Sequence, residues 1–290
     1  MEPESIIKQR PQKNNRLLGT AAIAVASLCF SLGGILMKLI PWKPLAINGA
    51  RNLVACVIIG GFILAQKHRL KFNLTVLIGA ISMFGVTTLF AMANKMTSAG
   101  NAIILQYTAP VWIMFLMYLV FHEKPNTYQL ITIPIVLIGI GCFFFESLTS
   151  GKWLGDICAL VSAIFYAGVF MLNQFEKGDV LSSLFLGQLM SAVLLTPLVR
   201  FETDFSLPVL IPVFLLGAVQ IGLAYIFFSY GIRYTDPVTA SIIAALEPIL
   251  NPILVAVFYG EMLGRLSVIG AVIVICGILF YQIVSARSSR

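Results

Sequence analysis

Charge is what this sequence has least of. Asp, Glu, Lys and Arg make up 11% of its 290 residues, while 59% are hydrophobic and the mean hydropathy is +0.95. A water-soluble domain of this size needs about a quarter of its residues charged to cover its surface. Lipid is therefore the solvent for most of this chain. Acidic residues are the scarcer kind, 12 against 19 basic ones, which leaves a net charge of +7. A nucleic-acid surface would gather the basic residues on one face or run. Here they fall between apolar runs, so no nucleic-acid partner is expected.

Histidine is nearly missing too. His68 and His122 flank apolar runs, no paired-histidine helix occurs, and no aspartate lies at the middle of an apolar run. There is no Gly-x-Ser-Gly and no phosphate-binding glycine loop. These absences exclude the zinc, aspartyl and serine designs of intramembrane proteases, along with any built-in ATP drive. The chain is not expected to be an enzyme, and no metal or cofactor is implied. The five cysteines (Cys29, Cys56, Cys142, Cys158, Cys276) lack close-paired spacing and read as small buried hydrophobes. No filter-like loop or ring of charge points to an ion channel.

What the chain does have is a series of apolar runs of about twenty residues. Ten spans are predicted near 17–40, 45–66, 74–95, 101–121, 127–146, 154–174, 180–199, 208–230, 238–260 and 264–284. The first sixteen residues are polar and basic. The run from Leu17 is longer than a signal-peptide core and lacks a small-residue cleavage pattern, so it reads as an uncleaved span. Lys and Arg near the span ends favour the N-terminal side by about two to one, which puts both termini in the cytoplasm and the protein in the cytoplasmic membrane. Asn73-Leu74-Thr75 matches a glycosylation sequon but falls on the inner face under this topology.

The chain also repeats itself. Lys95-Met96-Thr97 returns as Arg233-Tyr234-Thr235, and at the same offset Pro110 matches Pro248, Glu123 matches Glu261, and Gly139 matches Gly277. Earlier in each half, Leu18-Gly19 matches Leu154-Gly155, and Arg51 falls opposite Gln188. The expected division is a tail at 1–16, a first repeat at 17–150, a second at 151–286 and a short tail at 287–290. Five spans per half is odd, so the second copy enters the membrane upside down. Inverted repeats mark secondary transporters, whose substrate sites lie near the midplane where the halves meet. The fold class is therefore an all-α integral membrane protein of ten helices in two inverted five-helix repeats.

Polar residues at mid-depth are costly in lipid and face a cavity or a partner. Glu247 is the leading example, in the stretch "AALEPILNPILVAVFYGE". It reads either as a coupling proton site or a counter-charge for a cationic substrate, or as a protonated carboxyl hydrogen-bonded to backbone freed at the Pro248 kink. Its repeat counterpart is the neutral Ala109, and Asn251 faces Ile113 in the same way. Arg51 could snorkel outward or pair with Glu146, and reads as structural or gating. Pro110 and Pro248 at matching depths each free a carbonyl, which is tolerated where protein or cavity water can satisfy it. Gln106, Tyr107 and Trp112 accompany Pro110. Tyr166, Phe170 and Asn173 form a stripe on the sixth span, Thr87, Phe90 and Asn94 on the third, and Tyr225 with Ser229 on the eighth. Phe30, Ser27, Ser31 and Gly34 lie in the first. Each of these alone also fits ordinary helix packing. Glu123 and Glu261 cap their spans at opposite faces and read as structural.

Stretches such as "AIILQYTAPVWIMFLMYLVFHEK" and "ASIIAALEPILNPILVAVFYGE", with "LIGIG" at 137–141 and "VICGIL" at 274–279, resemble the EamA-type repeat of the drug/metabolite transporter superfamily. The resemblance covers residues 17–284. It implies a ten-helix transporter, often an exporter, alternating access around a cavity lined by the first, third, fourth, sixth, eighth and ninth spans. Its members move amino acids, amines, vitamins, nucleosides or drugs. A small organic solute, membrane lipid and coupling protons are the expected partners of a monomer or homodimer.

Overall fold

The computed structural model describes residues 13–122, 127–172, 175, 177–235 and 243–288, and among these all regular structure is helical. The first span is α1 (Lys13–Ser31) followed by α2 (Gly33–Leu39), the second is α3 (Pro44–Ala65), and the third is α4 (Leu74–Met96). The fourth is split into α5 (Ala99–Gln106) and α6 (Ala109–Phe121), and the fifth is α7 (Thr127–Ser150). In the second half come α8 (Trp153–Met171), then α9 (Val180–Leu195) with a 3-10 turn at Thr196–Phe201. The eighth span joins α10 (Leu207–Leu215), a π-helical stretch (Leu216–Leu223) and α11 (Ala224–Tyr234), and α12 (Leu246–Tyr259) and α13 (Arg265–Ser288) complete the bundle. Eight of these spans are long and apolar enough to cross a bilayer, and Leu246–Tyr259 and Arg265–Tyr281 add two shorter apolar helices.

Local chemistry sets the ends. The side chains of Asn73, Ser98 and Asp179 accept hydrogen bonds from Val76, Asn101 and Ser182 N–H groups at the starts of α4, α5 and α9. Asn73 thus has a structural task, and its amide also donates to Lys177 O. Pro44 and Pro110 sit in first turns, where a missing N–H interrupts no bond within the helix that they open. Gly260 ends α12 with φ of 75°, a left-handed conformation that glycine adopts freely.

Helix packing comes in exchange pairs. The third span packs on the sixth as the first packs on the eighth; the third lies on the seventh as the second lies on the eighth; the fourth meets the sixth as the first meets the ninth. The second and seventh spans pack on each other, and so do the fifth and tenth. Swapping the two halves maps each of these contacts onto another or onto itself, which is the pattern a two-fold related pair of repeats gives. The fifth and tenth approach closely through Gly139 and Gly270, where a Cβ on Gly270 would lie 2.7 Å from the Gly139 carbonyl. They are peripheral: 22% of the Thr127–Glu146 window is buried, against 61% for Leu74–Met96. The membrane face also takes Cys276, which is exposed, and of the five cysteines, all free, Cys56 alone is buried. Lipid replaces protein as the apolar surrounding there, so the expectation of buried cysteines is corrected.

A close helix-to-backbone contact involves Gly49 of α3, whose Cβ position is filled by the backbone of Leu195 and Thr196. Backbone cannot swing aside as a side chain can. Gly49→Ala should therefore cost roughly 1–3 kcal/mol or more and lower the thermal midpoint in detergent. Gly61→Ala on the same helix, with open space around it, should leave the midpoint unchanged or raise it slightly.

Candidate functional site

Two spans break at the same depth in the two repeats. α5 stops at Gln106 and α6 starts at Ala109; α12 starts at Leu246 after a turn at Ala245. Each break precedes a proline, Pro110 or Pro248. The prolines therefore sit in the first turns of second half-helices, not in the interiors of kinked ones. The fourth-span break is held locally: the Thr108 hydroxyl donates to Leu105 O (2.6 Å) and Trp112 Nε1 donates to Thr108 Oγ1 (3.3 Å). Across the repeat interface, the Tyr107 hydroxyl reaches the ninth-span break, 2.8 Å from Glu247 Oε2 and 3.0 Å from Ala244 O.

These breaks border a central cavity in two parts. A small inner chamber of about 50 Å³ is lined by Arg51, Thr87, Gln106 and Gln220, together with Phe90 and others. It has room for a few water molecules. A vestibule of about 520 Å³ continues from it along Pro110, Phe170, Phe228 and Pro248 to Thr235 at the end of α11 and Tyr281 late in α13. That volume suits a small organic ligand. Phe30, Tyr107, Tyr166, Tyr225 and Glu247 line both parts and form the neck between them. The neck is aromatic: Phe30 meets Tyr225 edge-on at 5.1 Å and Phe228 at 6.4 Å, and Tyr166 lies 4.8 Å from Phe170. Gln106 is fixed by its bond to Ser162 Oγ (3.1 Å).

Arg51 is 1% exposed. Its guanidinium donates to Asn48 Oδ1 at 2.9 and 3.1 Å and to the Thr87 carbonyl at 3.0 Å. It neither snorkels nor joins Glu146, whose carboxylate accepts from Ser267 N at the start of α13. A neighbouring helix supplies the carbonyl and its own helix the amide, so the charge stays at the chamber wall.

The vestibule runs toward the face that carries the termini, and the opposite face is closed. There Lys38 at the end of α2 pairs with Glu261 (2.7 Å) and donates to Thr97 O (3.0 Å). The other oxygen of Glu261 accepts from Ala99 N (2.7 Å) at the start of α5, and Lys95 bonds to Ile40 O. Trp42 Nε1 donates to Asp204 O (2.7 Å), and its ring packs on Phe205. Glu261 thus joins three spans. Glu123, its counterpart, lies outside the described residues, as does Asn173.

Of the residues singled out from sequence, Phe30, Phe90, Gln106, Tyr107, Tyr166, Tyr225 and Glu247 line the cavity, with Arg51, Pro110 and Pro248. Four do not. Asn251 is fully buried against Gly34, and its amide has no hydrogen-bond partner among the described residues. Asn94 is fully buried and bonds to Phe90 O (3.5 Å). Trp112 stays with Thr108. Ser229 bonds to Ile226 O and faces a lateral groove beside Leu18, Phe62 and Tyr230. Sequence reasoning missed Gln220, a lone amide in the run "LGAVQIGL" that the same mid-span rule would have found. It also missed the tenth span, whose Ile275, Ile278 and Tyr281 complete the vestibule but carry no mid-depth polar signal.

An all-helical multi-pass membrane protein with two repeats around a central cavity belongs to the broad class of transporters. This chain belongs to the EamA-like transporter family, whose model matches it twice, at residues 17–145 and 153–282. It is 26% identical over 269 residues to an uncharacterized transporter of Archaeoglobus fulgidus, covering 90% of this chain and 95% of that one. It is also similar to uncharacterized transporter YxxF of Bacillus subtilis, at 27% identity over 210 residues, 70% of this chain and 67% of the relative. A solved crystal structure with 16% identity superposes with a TM-score of 0.63, covering 93% of this chain and 98% of that chain, and so shares the fold.

Lys38 and Glu261 are mostly buried, with side chains 11% and 20% exposed. Removing either partner strands the other, so a double-mutant cycle with Lys38→Met and Glu261→Gln should return a coupling of about 1–3 kcal/mol in thermal or denaturant stability. Additive single effects would mean that the two side chains do not hold each other.

Proposed function

We propose that the protein is a secondary transporter that moves a small organic metabolite across the cytoplasmic membrane by alternating access, and that export is its direction. The observation that carries this reading is the cavity at the interface of the two repeats, blind at one face and extending toward the other. At its inner end stand one carboxyl, Glu247, and one cation, Arg51, and its walls are aromatic. A zwitterion or an amine with an apolar body suits such a site: the head groups meet Glu247 and Arg51, and the body meets the aromatic walls. The excess of basic residues near the span ends on that face supports a cytoplasmic side for the termini, and with them the vestibule. The arrangement is then the inward-facing one, with the Lys38–Glu261 side as the closed outer gate.

Glu247 is the residue through which protons drive the cycle. A carboxyl at the neck can exchange its proton for a substrate's positive group, because two cations there would repel in low dielectric. A thermal-shift screen of the purified protein against amino acids, amines, nucleosides and vitamins identifies the solute. Uptake into proteoliposomes under an imposed pH gradient then tests the coupling. Glu247→Gln should abolish gradient-driven accumulation, with a loss of about a hundredfold or more. Unchanged accumulation and pH dependence in that variant would remove Glu247 from the coupling role.

A further inference from the structure

Pro248 stands four residues after Ala244. Proline has no N–H, so the Ala244 carbonyl lacks the donor four residues on that a continuous helix would give it. The other repeat supplies the missing donor, since the Tyr107 hydroxyl lies 3.0 Å from Ala244 O. The same hydroxyl lies 2.8 Å from Glu247 Oε2. A phenol carries one hydrogen, and a backbone carbonyl can only accept. An ionised carboxylate can also only accept. Both contacts are full two-centre hydrogen bonds together only when Glu247 is protonated: its carboxyl donates to Tyr107 Oη, and Tyr107 donates to Ala244 O. With Glu247 ionised, the single phenolic hydrogen goes to the stronger, charged acceptor, and the Ala244 carbonyl is left alone.

We infer that Tyr107 is a positioning residue that ties the proton on Glu247 to the break in the ninth span. With the proton in place, the chain Glu247–Tyr107–Ala244 pins α5 against the start of α12 in the arrangement described above. Loss of the proton withdraws the hydroxyl from Ala244 and frees the break to move. The inference deepens the proposed coupling and rests on it for its place in a transport cycle.

Symmetry supports the assignment. Ala244 corresponds to Gln106, so both repeats contain a carbonyl orphaned by a proline. Tyr107 and Glu247 correspond instead to Ala245 and Ala109. The scaffold is duplicated and the hydrogen-bond chain is not. The other polar groups facing Glu247 are Tyr166 of α8, Tyr225 of α11, Gln106 of α5, Gln220 of the π-helical stretch and, across the chamber, Arg51 of α3. The phenols stay neutral and the guanidinium stays charged over the range in which carboxyls titrate. A change of charge in this chamber is therefore a change at Glu247.

The test needs no substrate. Infrared spectra of purified protein in lipid nanodiscs are recorded across pH for wild type, Glu247→Gln and Tyr107→Phe. In parallel, maleimide labelling is timed at Leu279→Cys, on the vestibule wall, after alanine replaces the five native cysteines. The wild type should show a protonated-carboxyl C=O band that is absent in Glu247→Gln. Tyr107→Phe should keep that band at a shifted frequency, because the acid proton has lost its acceptor. Raising the pH until the band disappears should slow labelling by about tenfold, the size of a typical coupling between sites. In Tyr107→Phe the same pH change should alter labelling by less than about twofold. Glu247→Gln, whose amide N–H can replace the acid proton, should label fast at every pH. Two results would overturn the inference: a carboxyl band that survives Glu247→Gln unchanged, or full pH dependence of labelling in Tyr107→Phe. Transport that ignores Glu247 would sink the coupled-carrier reading separately, without altering the labelling outcome.

Discussion

A carbonyl in the hydrocarbon layer must find a hydrogen, because no water there will supply one. A helix meets that demand internally except at its ends and where a proline removes the N–H four residues on. Prolines inside helices occur at Pro134, Pro212 and Pro252, but two stand at matching depths just after a helix break in both halves, Pro110 and Pro248. Each therefore creates a polar point at mid-membrane that protein or trapped water must answer. The cavity lies where these two points approach each other, between spans contributed by opposite repeats. Its location follows from backbone hydrogen bonding before any side chain is considered.

On that symmetric frame the chemistry is one-sided. Glu247 and Tyr107 have alanines as counterparts, and Arg51 has Gln188, which is fully buried with its amide unpartnered among the described residues. Duplication provides a closed, self-complementary bundle; departures from it provide charge and hydrogen-bond capacity at the neck. The Lys38–Glu261 contact belongs to the same scheme at the opposite face. There a single carboxylate satisfies a lysine and the first N–H of a helix start, so three spans close on one residue. The cavity is blind at one end because these directional contacts cap a buried apolar cluster that includes Met37, Ile40, Trp42, Ile47, Ile103 and Val213.

Much of this was legible in the sequence, and the reasons differ by feature. The spans were readable because lipid imposes one length and one polarity on each crossing. The repeat was readable because the landmarks Pro110/Pro248 and Gly139/Gly277 are set by backbone geometry, which a duplicated fold must keep. Glu247 stood out because a carboxyl at mid-depth is expensive. Partners were not readable. Arg51 is held by a carbonyl of α4 that any residue type could have offered, so no side-chain pattern announces it. Asn251 has cavity spacing, yet Gly34 lets α2 close over it. Ser229 follows Tyr225 by four residues, but four helical steps overshoot a full turn by about 40°. At the edge of a narrow cavity that rotation is enough to put Phe228 inside and Ser229 on the lipid side.

The π-helical stretch at Leu216–Leu223 has no counterpart in α4, the equivalent third span, which is regular throughout. The offset between the two halves grows by one residue between the pairs Arg51/Gln188 and Lys95/Arg233, and this wide turn falls inside that interval. A π turn is how a helix stores a single inserted residue without shifting everything after it. The landmarks beyond it, from Lys95/Arg233 to Gly139/Gly277, keep one constant offset, so the unequal lengths of the halves are settled before the fourth and ninth spans begin. Pro110 and Pro248, and with them the two breaks, therefore meet at equal depth.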